Sequence, residues 1–465
     1  IAVARTLHDV YKMLKAQQNR GQEAAGISVL KEDGTLDVIK WMGLVDDFAL
    51  DYLYDILGDG VLFEGHIRYS TSGSKSSLRN AHPHYLGGRE TEHSDHLIAR
   101  GVDASIVHNG TLACCPGAET VDCDSMFLLE TFMEIGGEGV LQEIPGAYSA
   151  AILTPEGATV LRDRYGIRPL SIGKKDGRYV AASEDCAIRE IGGSVHRTFF
   201  PGEMGKMTRT DFQTERIVPS NDKMCFFELN YLMNDESHFI ERSVRDGRYI
   251  LGGVLCDEFF QATGIDPNEI DVIAYLPKCP EPAALGFADR IRKYRSKPLK
   301  VHPKDNIYYK KKKRRAFMGQ SQKQRKKSIQ HNLYLRDNVD LDDLVILIID
   351  DSIVRGNNSK RAVRMVNDAG AKKVYFAAYT PPIGPIKNGI GRGCLFGVDM
   401  PPSDDFATRK YKTIGGVAEY IRAEKVYYLS KEGMFKAIRI PMNRTCHYCI
   451  GGPHPMEDYI QASKG

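Results

Sequence analysis

The chain has 465 residues, 42% of them hydrophobic and 26% charged, the balance of a soluble globular protein and too many for one ordinary core, so two domains of roughly 200 residues are expected. No uninterrupted apolar run approaches the roughly 20 residues that cross a bilayer, no signal peptide is visible at the N-terminus, and a net charge of +3 is too small to make nucleic acid the main partner. Ten cysteines without a secretory signal read as buried, metal-ligating or catalytic thiols of a reducing cytoplasm rather than as a disulfide framework.

In chain order, residues 61–69 read as a strand, 125–135 as a helix with apolar residues at helical spacing and glycines just after it, and 147–153 as a strand. Gly-rich turns punctuate everything up to about residue 219, and a boundary is expected at 224–228. Residues 304–327 are dense in Lys, Arg and Gln and poor in aliphatics, the pattern of a mobile loop. The continuous run 344–349 (LVILII) is expected to be a strand buried on both faces. A polar loop follows it, then a helix over 359–369 and a strand over 373–379. That is a parallel β-α-β unit, so the second half is expected to be doubly wound α/β.

The loop in that unit carries the strongest chemical signal. A buried strand ends in Asp350 and Asp351, followed by Ser352, Ile353, Val354, Arg355, Gly356, Asn357 and Asn358, with a helix expected to start at or near Ser359. Backbone N–H groups of such a loop, with the positive end of a helix, suit a phosphate. The carboxylates suit ribose hydroxyls, or Mg²⁺ bound directly or through water. An ordinary acidic βα turn is the competing reading for a lone Asp-Asp. The pattern strand-Asp-Asp-x-x-x-x-Gly-x-x-Ser resembles the phosphoribosylpyrophosphate (PRPP) loop of type I phosphoribosyltransferases. The resemblance implies that Asp350 and Asp351 hold the ribose 2- and 3-hydroxyls and that amides over 352–359 hold the 5-phosphate.

The likeness extends along nearly the whole chain. Gln18-Asn19-Arg20-Gly21-Gln22-Glu23-Ala24-Ala25-Gly26-Ile27, Gly65-His66-Ile67-Arg68-Tyr69-Ser70-Thr71, His108-Asn109-Gly110, Asp124-Ser125, Asp163-Arg164-Tyr165-Gly166-Ile167-Arg168-Pro169-Leu170 and Ala182-Ser183-Glu184 are similar, in order, to motifs of N-terminal-nucleophile (Ntn) glutamine amidotransferases. The whole resembles the glutamine PRPP amidotransferase family. This implies an α/β multi-domain chain: an αββα Ntn-hydrolase (class II glutamine amidotransferase) domain over 1–224, a type I phosphoribosyltransferase doubly wound domain over 225–435, and a tail over 436–465. Carried over, Arg68 holds the glutamine α-carboxylate and Asp124 its α-amino group, an arginine fork and an ion pair that match a free amino acid. The Asn109 side chain and the Gly110 N–H form the oxyanion hole. Residues 315–329 line up with the family's flexible loop, which closes over PRPP, and Arg315, Gln322 and Arg325 stand at matching positions. A cationic lid is favoured there over a nucleic-acid patch.

Cys446-His447-Tyr448-Cys449 alone fits zinc, redox chemistry or nothing. The cluster-containing, Bacillus-like branch of the family has two further ligands, and Cys225 and Cys394 stand at the matching positions. The resemblance implies a [4Fe–4S] cluster, with structural Zn²⁺ as the alternative, and core thiols for the other six cysteines. Two departures stand out. Lys278 and Cys279 replace the family's acidic and hydroxyl residues near pyrophosphate. The family begins Cys-Gly-Ile whereas this chain begins Ile1-Ala2-Val3, so no glutamine hydrolysis is expected of the chain as given. The expected activity is formation of 5-phosphoribosylamine from PRPP, with Mg²⁺ and glutamine-derived ammonia, in purine synthesis. Rival readings are an ammonia-only phosphoribosyltransferase and a PRPP- or nucleotide-sensing relative without turnover. The resemblance implies a cytoplasmic homotetramer with purine nucleotides as feedback ligands, and no nucleic-acid or membrane partner.

Overall fold

The computed structural model describes residues 1–69, 77–113, 123–310, 333–337, 339–398 and 400–458. In the first half, antiparallel strands alternate their side chains between two kinds of core. Strand Ala2–Ala4 lies between Leu62–Arg68 and Arg178–Ala182, and Ala24–Leu30 joins Leu62–Arg68 to Leu36–Met42. The 17-residue strand His96–Leu112 pairs with Leu36–Met42 over its first residues and with Gly146–Thr154 over its last. It thereby passes from one sheet to a second, which Gly157–Arg162, Glu203–Met207 and Phe212–Arg216 extend.

Burial sorts these strands into layers. Val3, Leu30, Val38 and Leu62 of one sheet share a core with Val107, Ala151 and Val160 of the other. On the outer face of the first sheet, Ile27, Phe63 and Ile67 meet Val10 and Leu14 of helix Leu7–Ala16. On the outer face of the second, Ile106, Ala150 and Ile152 meet Leu128 and Val140 of helix Asp124–Glu143. The result is the expected αββα order. The helix expected over 125–135 runs on to Glu143. Gly136 takes a left-handed φ of 71° and kinks it, and the chain then resumes helical winding so that Val140 and Leu141 reach the core.

The second half is built on four parallel strands, Val272–Tyr275, Val345–Asp350, Lys373–Ala378 and Lys425–Tyr428. Leu347 and Ile349 point to one face, against Leu251, Leu255 and Phe259 of helix Val244–Thr263 and Phe287 of Glu281–Ile291. Ile346 and Ile348 point to the other, against Val363 and Val366 of Asn357–Asp368 and Val417 of Ile414–Ile421. Both faces are covered, which is why the run reads as uninterrupted aliphatics. The helix expected from Ser359 starts at Asn357, because Gly356 adopts a left-handed φ of 78° at its N-cap and turns the chain early.

The expected boundary at 435 falls inside helix Lys431–Ile438. The C-terminal residues do not hang free: Thr445–Cys446 pairs in parallel with Met224–Cys225, placing Cys446 beside Cys225. Among the described residues no helix is long and apolar enough to cross a membrane.

Candidate active sites on the two halves

Strand ends place the first set. Arg68 closes strand Leu62–Arg68, and its carbonyl accepts from Glu23 N at 3.2 Å. A Cβ on Gly21 would lie 2.5 Å from the Arg68 carbonyl carbon, so only glycine allows that approach. Asn109 and Gly110 sit opposite Ser149 and Tyr148 near the end of the long bent strand. Asp124 opens its helix and accepts from Leu112 N at 3.4 Å, tying the helix start to that strand end. Asn109 Nδ2 is buried with no hydrogen-bond partner among the described residues, a donor left for a ligand oxygen. The structure thus brings the Asn109/Gly110 strand end and Asp124 together.

Four imidazoles that sequence reasoning did not group lie beside them. His66 and His82 stack at 4.2 Å and His82 and His84 at 4.6 Å between ring centroids. Ser125 Oγ bridges His82 Nε2 at 3.0 Å and His108 Nδ1 at 2.9 Å. Burial pushes His66 and His82 well below the ordinary imidazole range and His84 down to about 3, so these rings stay neutral. Cys123, expected to be a core thiol, is half-buried with its sulfur 3.7 Å from His84 Nε2. His82-Pro83-His84 is a spacing that could have been singled out; nothing in one sequence ties it to His66 or His108.

On the second half, Asp350 ends the central strand and Asp351 begins the loop, 8% and 9% exposed. Burial, then the neighbouring charge of Asp351, pushes the Asp350 carboxyl well above its usual range. Burial pushes Asp351 up to about 6, with a 2.6 Å hydrogen bond from Ser352 Oγ and the charges of Arg248 and Lys310 acting against it. A carboxylate pair so crowded suits a cation or a hydroxyl-rich ligand. Asn357, Asn358 and Ser359 form the first turn of the following helix, whose leading N–H groups have no helical partner. Asn357 Oδ1 accepts from Tyr420 OH at 3.0 Å, and Arg355 stands 6.0 Å from the Phe406 ring centre. Lys278 is exposed and Cys279 half-buried in the turn leaving the neighbouring strand Val272–Tyr275. The lid residues Arg315, Gln322 and Arg325 lie outside the described residues.

The two halves meet through buried charges. Arg20 contacts Glu184 at 2.9 Å and Glu228 at 3.0 Å, and Arg168 contacts Glu228 at 3.0 Å. Asn19 Nδ2 donates to Glu184 Oε1 at 2.9 Å and to Leu232 O at 2.8 Å. Arg168 also donates to the Phe396 carbonyl. There it forms part of a recess lined by Cys225, Cys394, Cys446 and Cys449 with Ile167, Phe396 and Met400. Cys394 Sγ accepts from the N–H groups of Phe396 and Val398, both at 3.4 Å. Among the described residues no group of three or more His, Cys, Asp or Glu side chains is spaced to hold a metal ion.

Comparison with known proteins agrees with this architecture. A glutamine amidotransferase domain model matches residues 116–190. The amidophosphoribosyltransferase of Synechocystis is 31% identical over 474 residues, covering 98% of this chain and 89% of that protein. Amidophosphoribosyltransferase 2, chloroplastic, of Arabidopsis thaliana is 30% identical over 459 residues, covering 96% of this chain and 76% of that protein. The solved glutamine PRPP amidotransferase of B. subtilis, complexed with ADP and GMP, matches with a TM-score of 0.79 at 25% identity, covering 98% of this chain and 97% of that one. The fold and these matches define a glutamine amidotransferase half joined to a doubly wound α/β half. The chain belongs to the amidophosphoribosyltransferase family.

Proposed function

We propose that this chain transfers the 5-phosphoribosyl group of PRPP to ammonia, forming 5-phosphoribosylamine and pyrophosphate, the step by which its relatives serve purine synthesis. The observation that carries the reading is the juxtaposition of two crowded carboxylates, Asp350 and Asp351, with the open first turn of helix Asn357–Asp368 at the carboxyl end of a parallel sheet. Ligands of such sheets bind at that edge. The carboxylates receive the ribose hydroxyls; Asp350 and Asp351 would also hold Mg²⁺, directly or through water, and that ion would supply positive charge toward pyrophosphate. N–H groups over 352–359, with Ser352, Ser359, Asn357 and Asn358, receive the 5-phosphate around Gly356, and Arg355 adds positive charge. The nitrogen lone pair of ammonia attacks C1 as the C1–O bond to pyrophosphate breaks, and the amine then loses a proton to water. The protein's contribution is to hold the two reactants in line and stabilise the leaving charge. Exposed Lys278 supplies positive charge close to that leaving group.

The first half is read as the nitrogen source, with Arg68 and Asp124 gripping glutamine and Asn109 and Gly110 stabilising the oxyanion. An assay of phosphoribosylamine with PRPP and either glutamine or ammonia tests this. Product from ammonia, lost in Asp351→Asn, supports the reading; PRPP that binds Asp351→Asn as tightly as the parent protein would refute it. Purine nucleotides, as in the B. subtilis complex, and self-assembly into a homo-oligomer complete the proposal.

For the cysteine recess we propose an iron–sulfur cluster held by Cys225, Cys394, Cys446 and Cys449. A tetrahedral Zn²⁺ site draws its sulfurs to about 3.8 Å from each other, given Zn–S bonds of about 2.3 Å. The four thiols line one apolar recess, with backbone N–H groups aimed at Cys394 Sγ, and the likeness to the cluster-containing branch of the family favours the cluster. Such a cluster would serve here as a structural tie between the chain's middle and end. Anaerobic protein with iron, sulfide and broad absorbance near about 400 nm supports it; colourless protein with stoichiometric zinc overturns it.

A further inference from the structure

Asn230 lies at the centre of the turn Glu228–Leu232, which touches both halves. Its first residue, Glu228, is gripped by Arg20 and Arg168 of the first half. Two residues on, Asn230 is fully buried. Its Nδ2 donates to Thr380 Oγ1 at 2.9 Å. Its carbonyl oxygen accepts from the Tyr379 hydroxyl at 2.7 Å and from the Cys279 thiol at 3.2 Å. Tyr379 and Thr380 are also the residues whose backbone N–H groups donate to the carbonyls of Asp350 and Asp351, at 3.2 Å and 3.0 Å. From below, the buried Arg248 clamps the turn, donating to Leu229 O at 2.9 Å, to Met233 O at 2.8 Å and to the Asp235 carboxylate.

We infer that Asn230 is a positioning residue for the phosphoribosyl site: through Thr380 and Tyr379 it fixes the backbone that carries Asp350 and Asp351. This rests on the reading of those two carboxylates as the ribose-binding pair. Asn230 Oδ1 is buried with no hydrogen-bond partner among the described residues. A stranded buried acceptor is a cost that an apolar residue of similar size avoids. What the asparagine side chain gives in return is the Nδ2 donor to Thr380, beside its main-chain carbonyl held by Tyr379, so that both neighbours of the acid pair's backbone are tied to one residue. Every step from Arg168 and Glu228 to the acid pair is then short and buried, so a shift of the turn moves the acids with it. A displacement of the two acids weakens their hold on the ribose hydroxyls in ground state and transition state alike, which reads in KM rather than in kcat.

The test uses the full-length protein, with ammonia as nitrogen source so that the first half's chemistry does not enter. Thr380→Val keeps shape and removes the oxygen acceptor of Asn230 Nδ2, leaving only the weak sulfur acceptor of Met434 at 3.5 Å. Losing that buried link is expected to raise KM for PRPP about tenfold while kcat changes less than about twofold. Thr380→Ser, which restores the acceptor, is expected to return KM to within about twofold of the parent protein, and on an Asn230→Ala background Thr380→Val is expected to add nothing further. An unchanged KM in Thr380→Val, or equal impairment in Thr380→Ser, overturns the inference. If Thr380→Val does not fold, Tyr379→Phe carries the test: a rise of about threefold in KM supports the role and an unchanged KM sinks it. Calorimetry of PRPP with Asp351→Asn separates the two levels. Undiminished binding there removes the underlying site reading, whereas lost binding there with normal kinetics in Thr380→Val removes the positioning role alone.

Discussion

Arg20 and Glu228 face each other through two parallel hydrogen bonds, Nη1 to Oε2 and Nη2 to Oε1, both at 3.0 Å, although 208 residues separate them. Their side chains are 8% and 1% exposed. Burial works to protonate Glu228, and the charges of Arg20 and Arg168 overcome it, holding its carboxyl below the usual range. A fork of this kind is worth less as net attraction than as a constraint, since both ions give up their water.

Removing one partner is therefore the severe change. Arg20→Met leaves Glu184 without its guanidinium partner and Glu228 with Arg168 alone. The expected loss is about 3–5 kcal/mol of unfolding free energy, measured by urea titration. Arg20→Met combined with Glu228→Gln is expected to cost less than the two single changes summed.

The stacked histidines make the first half sensitive to acid. His66, His82 and His84 have pKa values lowered by burial, so the unfolded chain takes up protons that the folded chain refuses. Stability then falls as pH drops below about 6.5, by about 1.4 kcal/mol per imidazole per pH unit. Trp41, the chain's only tryptophan, is buried in this half, and its fluorescence follows unfolding there. A urea midpoint that does not move between about pH 7 and about pH 5.5 would mean that the rings are protonated inside the fold.

Gly110 leaves no room for a side chain. Its φ is 148°, and a Cβ would lie 2.0 Å from the carbonyl oxygen of Ala147 on the paired strand. Gly110→Ala is expected to destabilise the protein by about 1–3 kcal/mol, read as a fall in melting temperature. KM for PRPP with ammonia should stay unchanged, because the clash lies in the other half.

Gly356 is a second such position, at the opposite end of the molecule's chemistry. Its left-handed φ of 78° starts the helix two residues before Ser359, and a Cβ would press to 3.2 Å from the Tyr420 ring. Gly356→Ala is expected to raise KM for PRPP about fivefold or more through strain in the loop, of about 1–2 kcal/mol. Calorimetric titration with PRPP checks it; unchanged affinity would place the sugar phosphate elsewhere.

The halves were legible in the sequence to different degrees. The run 344–349 announced a strand buried on both faces, and Val345–Asp350 is that strand with one carboxylate added. The helix that follows came two residues early, because a glycine N-cap is silent in composition. Gly136 reads as a stop, yet a φ of 71° at one residue only kinks the helix, and apolar residues beyond it still find a core. The junction was out of reach for a different reason. Glu228 and Asn230 look like ordinary polar residues of a boundary segment, and their partners stand 60 to 208 residues away along the chain. Cys279 was expected both among the core thiols and, with Lys278, in the segment near pyrophosphate; its hydrogen bonds to Asn230 and Tyr379 could not be read from the sequence.

The pairing of Met224–Cys225 with Thr445–Cys446 gives the second half an unusual seam: its entry and its exit lie side by side. A cassette whose two ends touch can be grafted onto a neighbour through a single patch of surface, with neither terminus stretched across the molecule. The same seam leaves the entry strand dependent on Thr445–Cys446, since removing those two residues would take away the strand that Met224–Cys225 pairs with.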